Sequence, residues 1–365
     1  MQTDVLLHIG MGKSGSSALQ TFLSAHPTCR LDGNKLPYRH LQYLSFNKEG
    51  RSFHGKRLYA MAHRHPFRHL RSVAFSFLRD WPDSHFEALK KLLQKLSDEG
   101  QDLPVLSSES WCLHPQDYLE LDLGRRLQIS PSLLCYIRNP VELINSAWWQ
   151  WGAWNPTGSF ERFVRSAISH LQSLEQSIET WERISEGRLQ VVPLPSDITE
   201  DFCKRFGISP CSPVRSNVSL PEELLRFFQR HRELRPGPHE ATADFYLSEL
   251  LDFDGYGKTP WVLPPSMVEE ILRQMRPVIE RVSKYFDDTS RQRYEADPRW
   301  HDPSAFADRV AVSPDPPDRP LDPERLETML FDAYQALINL RREHLTLQTR
   351  YDRLQAHTEQ KSRES

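Results

Sequence analysis

The sequence predicts an α/β fold in which a parallel β-sheet is flanked by helices, with a coiled-coil helix near the C-terminal end. Three observations predict it. Apolar runs of strand length at Val5–Ile9, Pro104–Ser108 and Ser132–Ile137 alternate with stretches of helical period. That is the pattern of strands buried on both faces and joined by right-handed crossovers. Leu326, Leu330, Ala333, Leu337, Leu340, His344, Leu347, Tyr351 and Leu354 then recur in alternating steps of four and three, as in a coiled-coil seam. Between these regions lie seven prolines and several aspartates in 291–323, a linker composition. The expected organisation is therefore an α/β domain over 1–290, a Pro-rich linker over 291–323 and a coiled-coil helix over 324–358.

A chain of 365 residues can bury a full core. Its net charge of −3 argues against nonspecific nucleic-acid binding as the main task. No apolar run approaches the roughly 18 residues that a transmembrane segment needs. The first strand leads directly into a Gly-rich turn, without a charged-then-apolar leader pattern. Cys29, Cys112, Cys135, Cys203 and Cys211 are odd in number and lack zinc spacing, so they read as reduced thiols of a cytoplasmic protein. His63, His65 and His69 come nearest to a metal cluster but have no ligand partners at suitable spacing, and no metal is expected.

Taken in order, Val5–Ile9 runs into Gly10-Met11-Gly12-Lys13-Ser14-Gly15-Ser16-Ser17, and a helix-compatible run follows from Ala18. Loop N–H groups and the positive helix end form an anion site there, to which Lys13 adds a full charge. The nucleotide-hydrolase loop requires Lys directly after its second Gly. Here Ser16 holds that place and Lys13 precedes Gly15. Leu31–Tyr38 fits a short second strand. Residues 39–82 give no clear element, and the basic stretch His63–Arg71 reads as a solvated loop or as an attractor of anions. Ser84 and Glu87 fit a capping box for a helix ending at Gly100. The strand from Pro104 ends at Glu109, and a helix over Gln116–Leu127 leads to the strand Ser132–Ile137.

Arg138-Asn139-Pro140 follows at once, with Ser146 eight residues after the arginine. Pro140 suits the first turn of a helix over Val141–Trp151. From these positions Arg138 can offer a forked donor and Ser146 a hydroxyl to one phosphate. Lys13, Glu109 and Arg138 each lie just past a strand's carboxyl end, the rim at which ligands gather in such sheets. The tryptophans at 148, 149, 151 and 154 read mainly as core anchors, or as a stacking surface for a sugar ring. Two helices are expected over Phe160–Trp181, a strand over Arg188–Pro193 and a short helix over Asp201–Ile208. Helical stretches are expected over 245–286. Ser219 fits an N-cap, while Arg215 and Asn217 either close over a ligand or serve the turn.

The order Lys13-Ser14-Gly15-Ser16-Ser17 resembles the 5′-phosphosulfate loop of sulfotransferases that use 3′-phosphoadenosine-5′-phosphosulfate (PAPS), especially bacterial carbohydrate-type members. Arg138-Asn139-Pro140 with Ser146 resembles the 3′-phosphate motif of the same family, and Arg215–Leu220 resembles a recurring late stretch. The resemblance spans roughly residues 4–286 and implies a P-loop sulfotransferase-like fold with PAPS as co-substrate. It implies that Gly12, Lys13, Ser14, Gly15, Ser16 and Ser17 hold the 5′-phosphate, while Arg138 and Ser146 hold the 3′-phosphate. Lys13 would stabilise the leaving group. Glu109, which corresponds in position to the family's catalytic base, would take the acceptor's proton, with His114 in reserve. The acceptor would be a carbohydrate, glycolipid or small molecule. The remaining readings are a P-loop kinase or nucleotide hydrolase, and an inactive scaffold acting through its coiled coil. The coiled coil itself implies a homo-oligomer or a helix folded back on the domain.

Overall fold

The computed structural model describes residues 2–32, 36–155, 158–209, 220–240, 244, 246–247, 250–251, 259–316 and 322–364. Seven strands form one sheet: β1 (Thr3–Ile9), β2 (Thr28–Arg30), β3 (His40–Phe46), β4 (Ser52–His54), β5 (Asp102–Ser108), β6 (Ile129–Ile137) and β7 (Leu189–Pro193). The order is β2-β3-β5-β1-β6-β7, with β4 also on β3. β3, β5, β1, β6 and β7 run parallel, whereas β2 and β4 pair antiparallel with β3. The sheet is thus mixed only at one edge. β1 sits at its centre, where Val5, Leu6, Leu7 and Ile9 are all buried, as a strand covered on both faces requires.

The helices α1 (Ser16–Ala25), α2 (Gly55–Arg64), α3 (Asp83–Gly100), α4 (Pro115–Glu120), α5 (Leu123–Leu127) and α6 (Pro140–Gln150) connect these strands. After them come α7 (Phe160–Gln172), α8 (Leu174–Ser185), α9 (Ile198–Phe206) and α10 (Glu222–Arg230), then α11 (Pro265–Val282), α12 (Asp288–Ala296) and α13 (Pro323–Glu364). One side of the core joins Phe22, Leu23, Tyr43, Tyr136 and Phe202. Elsewhere Trp111 stacks on Phe75 with ring centres 4.4 Å apart.

Several elements differ from the sequence expectation. The short strand occupies Thr28–Arg30 rather than 31–38, of which residues 33–35 lie outside the described residues. α3 starts at Asp83 behind Pro82, and no side chain caps it, so the Ser84 capping box does not form. The helix expected over 116–127 is split into α4 and α5 at Asp122, whose backbone is left-handed at φ +50°. Residues 39–82, unreadable in sequence, supply β3, β4 and α2. The second half of the basic stretch is not a solvated loop. Tyr43 Oη donates to the Leu70 carbonyl at 2.7 Å, Ser45 Oγ to that of Arg71 at 2.7 Å, and Ser72 N to that of Ser107 at 2.8 Å. Residues 70–72 are therefore fastened to the carboxyl ends of β3 and β5.

The chain divides into two compact units, one within 1–217, 237–239 and 261–314, the other within 218–236, 240–260 and 315–365. Composition marks 291–314 as linker, yet the stretch belongs to the first unit and buries Tyr294, Trp300 and Phe306. Pro298 and Pro303 open short 3₁₀ turns there, since a proline in the first turn forfeits no needed N–H. In the second unit Arg226, only 1% exposed, bonds Gln229 Oε1 at 2.9 Å and the Asp315 carbonyl at 3.1 Å. Arg325 at the start of α13 pairs with Glu223 of α10 at 2.6 Å.

Cys29, Cys112 and Cys135 are free and buried, and burial pushes the Cys29 thiol up to about 12. Cys203 is disulfide-bonded, which corrects the expectation that every cysteine is reduced. Among the described residues no helix is long and apolar enough to cross a membrane.

Candidate active site

The loop between β1 and α1 is built by tight backbone geometry. Gly10 N donates to the Ser108 carbonyl at 3.1 Å, which ties the β1 exit to the β5 exit. A Cβ at Gly10 would come within 2.1 Å of Ser16 Oγ, so a larger residue there would displace that hydroxyl. Gly15 has φ +80°, a conformation that costs glycine little. Lys13 also adopts positive φ, +64°, although it has a side chain to accommodate. The turn closes with Ser14 N donating to the Met11 carbonyl at 3.1 Å, and Leu19 N to that of Gly15 at 3.1 Å.

Two hydroxyls of this loop, Ser14 Oγ and Ser16 Oγ, are buried and have no hydrogen-bond partner among the described residues. A buried hydroxyl left without a partner is costly. Located at a helix N-terminus beside Lys13, these two match an anion whose oxygens would complete them. The residues present therefore suit a phosphate group. Ser17 is half-buried on the first turn of α1, and its carbonyl accepts from Thr21.

The second cation comes from the β6 exit. Asn139 caps α6, its Oδ1 accepting from Val141 N at 2.9 Å and Glu142 N at 3.3 Å, and Pro140 occupies the first turn as expected. Arg138 then turns back, and its Nη1 donates to the Lys13 carbonyl at 3.2 Å. Its Nε lies 3.7 Å from Glu142, which also receives Arg299 at 2.9 Å. Burial holds the Arg138 guanidinium below its usual pKa, and Glu142 works against that shift.

Lys13 Nζ donates to Gln150 Oε1 at the far end of α6. Glu142, Ser146 and Gln150 are spaced four apart and share one face of the helix. That stripe starts at the partner of Arg138 and ends at the partner of Lys13, with half-buried Ser146 between them. Gln150 is a residue that sequence reasoning missed; its i+4 spacing from Ser146 was the available signal. Of the tryptophans, those at 148, 149 and 154 are buried, while Trp151 is half-exposed. A Cβ at Gly12 would lie 3.1 Å from the Trp151 ring, so that ring flanks the loop.

Glu109 follows β5 directly, but its side chain is engaged, with Oε1 receiving Arg71 Nη1 at 2.9 Å. His114 stands at the N-terminus of α4, more than half exposed, 4.0 Å from Asp117. Arg215 and Asn217 lie outside the described residues. His63 and His69 are occupied with other partners: the His63 ring stacks on Tyr59, and His69 Nδ1 bonds the Phe67 carbonyl at 2.7 Å.

Beneath the loop is a second feature absent from the sequence reading. His8 is fully buried in β1, with Nδ1 2.7 Å from Ser107 Oγ, to which Gln20 Nε2 also donates at 3.1 Å. Burial pushes the His8 pKa down to about 3, so the ring is neutral at ordinary pH.

No protein-family model matches the chain, and no curated protein matches it. Solved structures that resemble it include two sulfotransferases. One is a sulfotransferase from Alicyclobacillus acidocaldarius, at 14% identity and a TM-score of 0.36, covering 80% of this chain and 100% of that one. The other is the sulfotransferase domain from the curacin biosynthetic pathway, at 14% identity and a TM-score of 0.32, covering 75% of this chain and 97% of that one. The α/β architecture rests on the strand order of the chain itself.

Proposed function

We propose that the chain is a PAPS-dependent sulfotransferase acting on a hydroxyl or amine of a carbohydrate or small-molecule acceptor. The observation that carries this reading is the 3.2 Å hydrogen bond from Arg138 to the Lys13 carbonyl. It joins two motifs 125 residues apart at one rim, as a donor with phosphates at both ends requires. In this reading Gly12, Ser14, Gly15, Ser16 and Ser17 hold the 5′-phosphate, and the unpartnered hydroxyls of Ser14 and Ser16 gain acceptors. Arg138 and Ser146 hold the 3′-phosphate, the group that separates PAPS from ATP.

The acceptor attacks sulfur in line. Its new bond to sulfur forms as the bond from sulfur to the 5′-phosphate oxygen breaks, and adenosine 3′,5′-bisphosphate leaves. Negative charge builds on that leaving oxygen, and Lys13 stabilises it more in the transition state than before it. Glu109 takes the acceptor's proton after turning away from Arg71. Their ion pair is partly exposed, with the Arg71 side chain 56% exposed, so exchanging it for an acceptor costs little.

Thermal-shift titration with adenosine 3′,5′-bisphosphate and with ADP tests the proposal. Stabilisation by the bisphosphate is expected, because a ligand raises stability in proportion to its affinity for the native state. Stabilisation by ADP alone would instead indicate a kinase or nucleotide hydrolase. Transfer of radiolabelled sulfate onto a panel of glycans and small hydroxylated compounds then identifies the acceptor.

A further inference from the structure

We propose that His8 is a positioning residue for the phosphate loop, its Nε2–H holding the Ser16 hydroxyl so that Ser16 donates to the 5′-phosphate. The inference rests on the phosphate reading of the loop, and adds to it a residue that does not touch the ligand. His8 is fully buried on β1, two residues before Gly10. One side of its ring is anchored. Nδ1 is 2.7 Å from Ser107 Oγ, and Gln20 Nε2 of α1 donates to the same oxygen at 3.1 Å. The other side is not. Nε2 is buried with no hydrogen-bond partner among the described residues, and so is Ser16 Oγ. Orphaned buried polar atoms are few in folded proteins, and two side by side call for one explanation. A Cβ added at Gly10 would meet Ser16 Oγ at 2.1 Å and His8 Cε1, the carbon bonded to Nε2, at 3.1 Å. The hydroxyl and the ring edge therefore border the same point beside Gly10, separated by no more than the sum of those distances.

Donor and acceptor roles then run in one direction along the chain of side chains. Gln20 donates to Ser107 Oγ, and Ser107 donates its own proton to His8 Nδ1. Burial keeps the ring neutral, and a neutral imidazole that accepts at Nδ1 carries its proton on Nε2. Nε2–H donates to Ser16 Oγ, which leaves the Ser16 proton for the anion above the loop. A hydroxyl already aimed loses little freedom when the ligand arrives, and aligned hydrogen bonds polarise one another toward the last donor. Tyr43 Oη also neighbours Ser107. If the Ser107 proton went there, His8 would carry its own proton on Nδ1, and the first measurement below separates the two cases.

The test uses the full chain, labelled with nitrogen-15 at histidine. Proton–nitrogen correlation spectra at neutral pH are expected to show the His8 proton on Nε2, the signal being identified by its loss in His8→Gln. A proton on Nδ1 overturns the proposal, and because the tautomer is read on wild type this holds even where a variant does not fold. Calorimetry then compares adenosine 3′,5′-bisphosphate with 5′-AMP, which share the 5′-phosphate. Ser16→Ala and His8→Leu are each expected to weaken both ligands by about 5–10-fold, the usual worth of one hydrogen bond. The double variant should be weaker by no more than about 10-fold, because His8 acts only through Ser16. His8→Gln keeps an amide N–H at the reach of Nε2 and should bind within about twofold of wild type. Losses that multiply in the double variant, wild-type affinity in His8→Leu, or a His8→Gln variant as weak as His8→Leu each overturn the inference and leave the phosphate reading standing. A wild-type chain that binds neither nucleotide overturns both.

Discussion

Two neighbouring strand exits treat their charges in opposite ways. At the β1 exit Lys13 donates to the neutral amide of Gln150, and Arg138, arriving from the β6 exit, donates to the Lys13 carbonyl while lying 3.7 Å from Glu142. Neither of those two hydrogen bonds is made to a charge. At the adjacent β5 exit the Glu109 carboxylate is matched by the Arg71 guanidinium at 2.9 Å. The Lys13 contact can therefore be exchanged for a phosphate oxygen, while Glu109 must leave an ion pair before it can accept a proton. A hydrogen bond to a neutral amide or carbonyl yields to a charged ligand more readily than a close ion pair does.

Five substitutions break or sharpen that contrast. The largest effect is expected for Lys13→Ala, a fall in turnover of about 10²–10³-fold, the usual range for losing one donor that meets transition-state charge. Steady-state release of adenosine 3′,5′-bisphosphate measures it, and wild-type turnover in this variant would erase the distinction between the exits. Glu109→Gln is expected to lower turnover by about 10²-fold, as for loss of a general base. Arg71→Ala sharpens the point, because releasing the carboxylate should leave turnover unchanged or raise it. Equal losses in both variants would mean that the ion pair itself is what matters.

Next in size is Arg138→Ala. Loss of a charged hydrogen bond is worth about 1.5–3 kcal/mol, or roughly 10–100-fold weaker binding of adenosine 3′,5′-bisphosphate. Affinity for 5′-AMP, which lacks the 3′-phosphate, should not change, and calorimetry can compare the two. The smallest effect concerns His8, which links the exits by bonding Ser107. The folded chain takes up its proton only near pH 3, while the unfolded chain takes it up near 6.5. Between those values the unfolded state binds more protons, so stability falls as pH is lowered through that window, by up to about 1.4 kcal/mol per pH unit. His8→Gln should flatten this slope in urea titrations at successive pH values. Part of the slope should persist, because burial also lowers buried His69, to about 4.

What was legible in the sequence was local. The β1–loop–α1 passage and the Arg138-Asn139-Pro140 entry into α6 each fit within a dozen or so residues, where apolar runs, glycines and a first-turn proline signal structure directly. The Glu109–Arg71 pair spans 38 residues and involves a stretch with no readable period, so its engagement could not be foreseen. β3 was hidden for the same reason, because its neighbours β2, β4 and β5 complete it from elsewhere in the chain. Composition misled at 291–314, where prolines that suggest a linker open short turns and Trp300 and Phe306 anchor the stretch. His8 reads in sequence as one polar residue in an apolar strand, and its role became visible only when Ser107 and Gln20 arrived beside it.

The face of α6 carrying Glu142, Ser146 and Gln150 works as a ruler laid between the two cationic grips. Its graduations are helical turns, so the distance it measures is fixed by backbone geometry rather than by side-chain fit. One residue inserted between Ser146 and Gln150 would rotate the far mark by about 100° and move it about 1.5 Å along the axis. Gln150 would then swing off Lys13 while Arg138 kept its hold. Such a chain should still fold and still grip one end of a bis-phosphorylated donor, yet lose the alignment between the two ends.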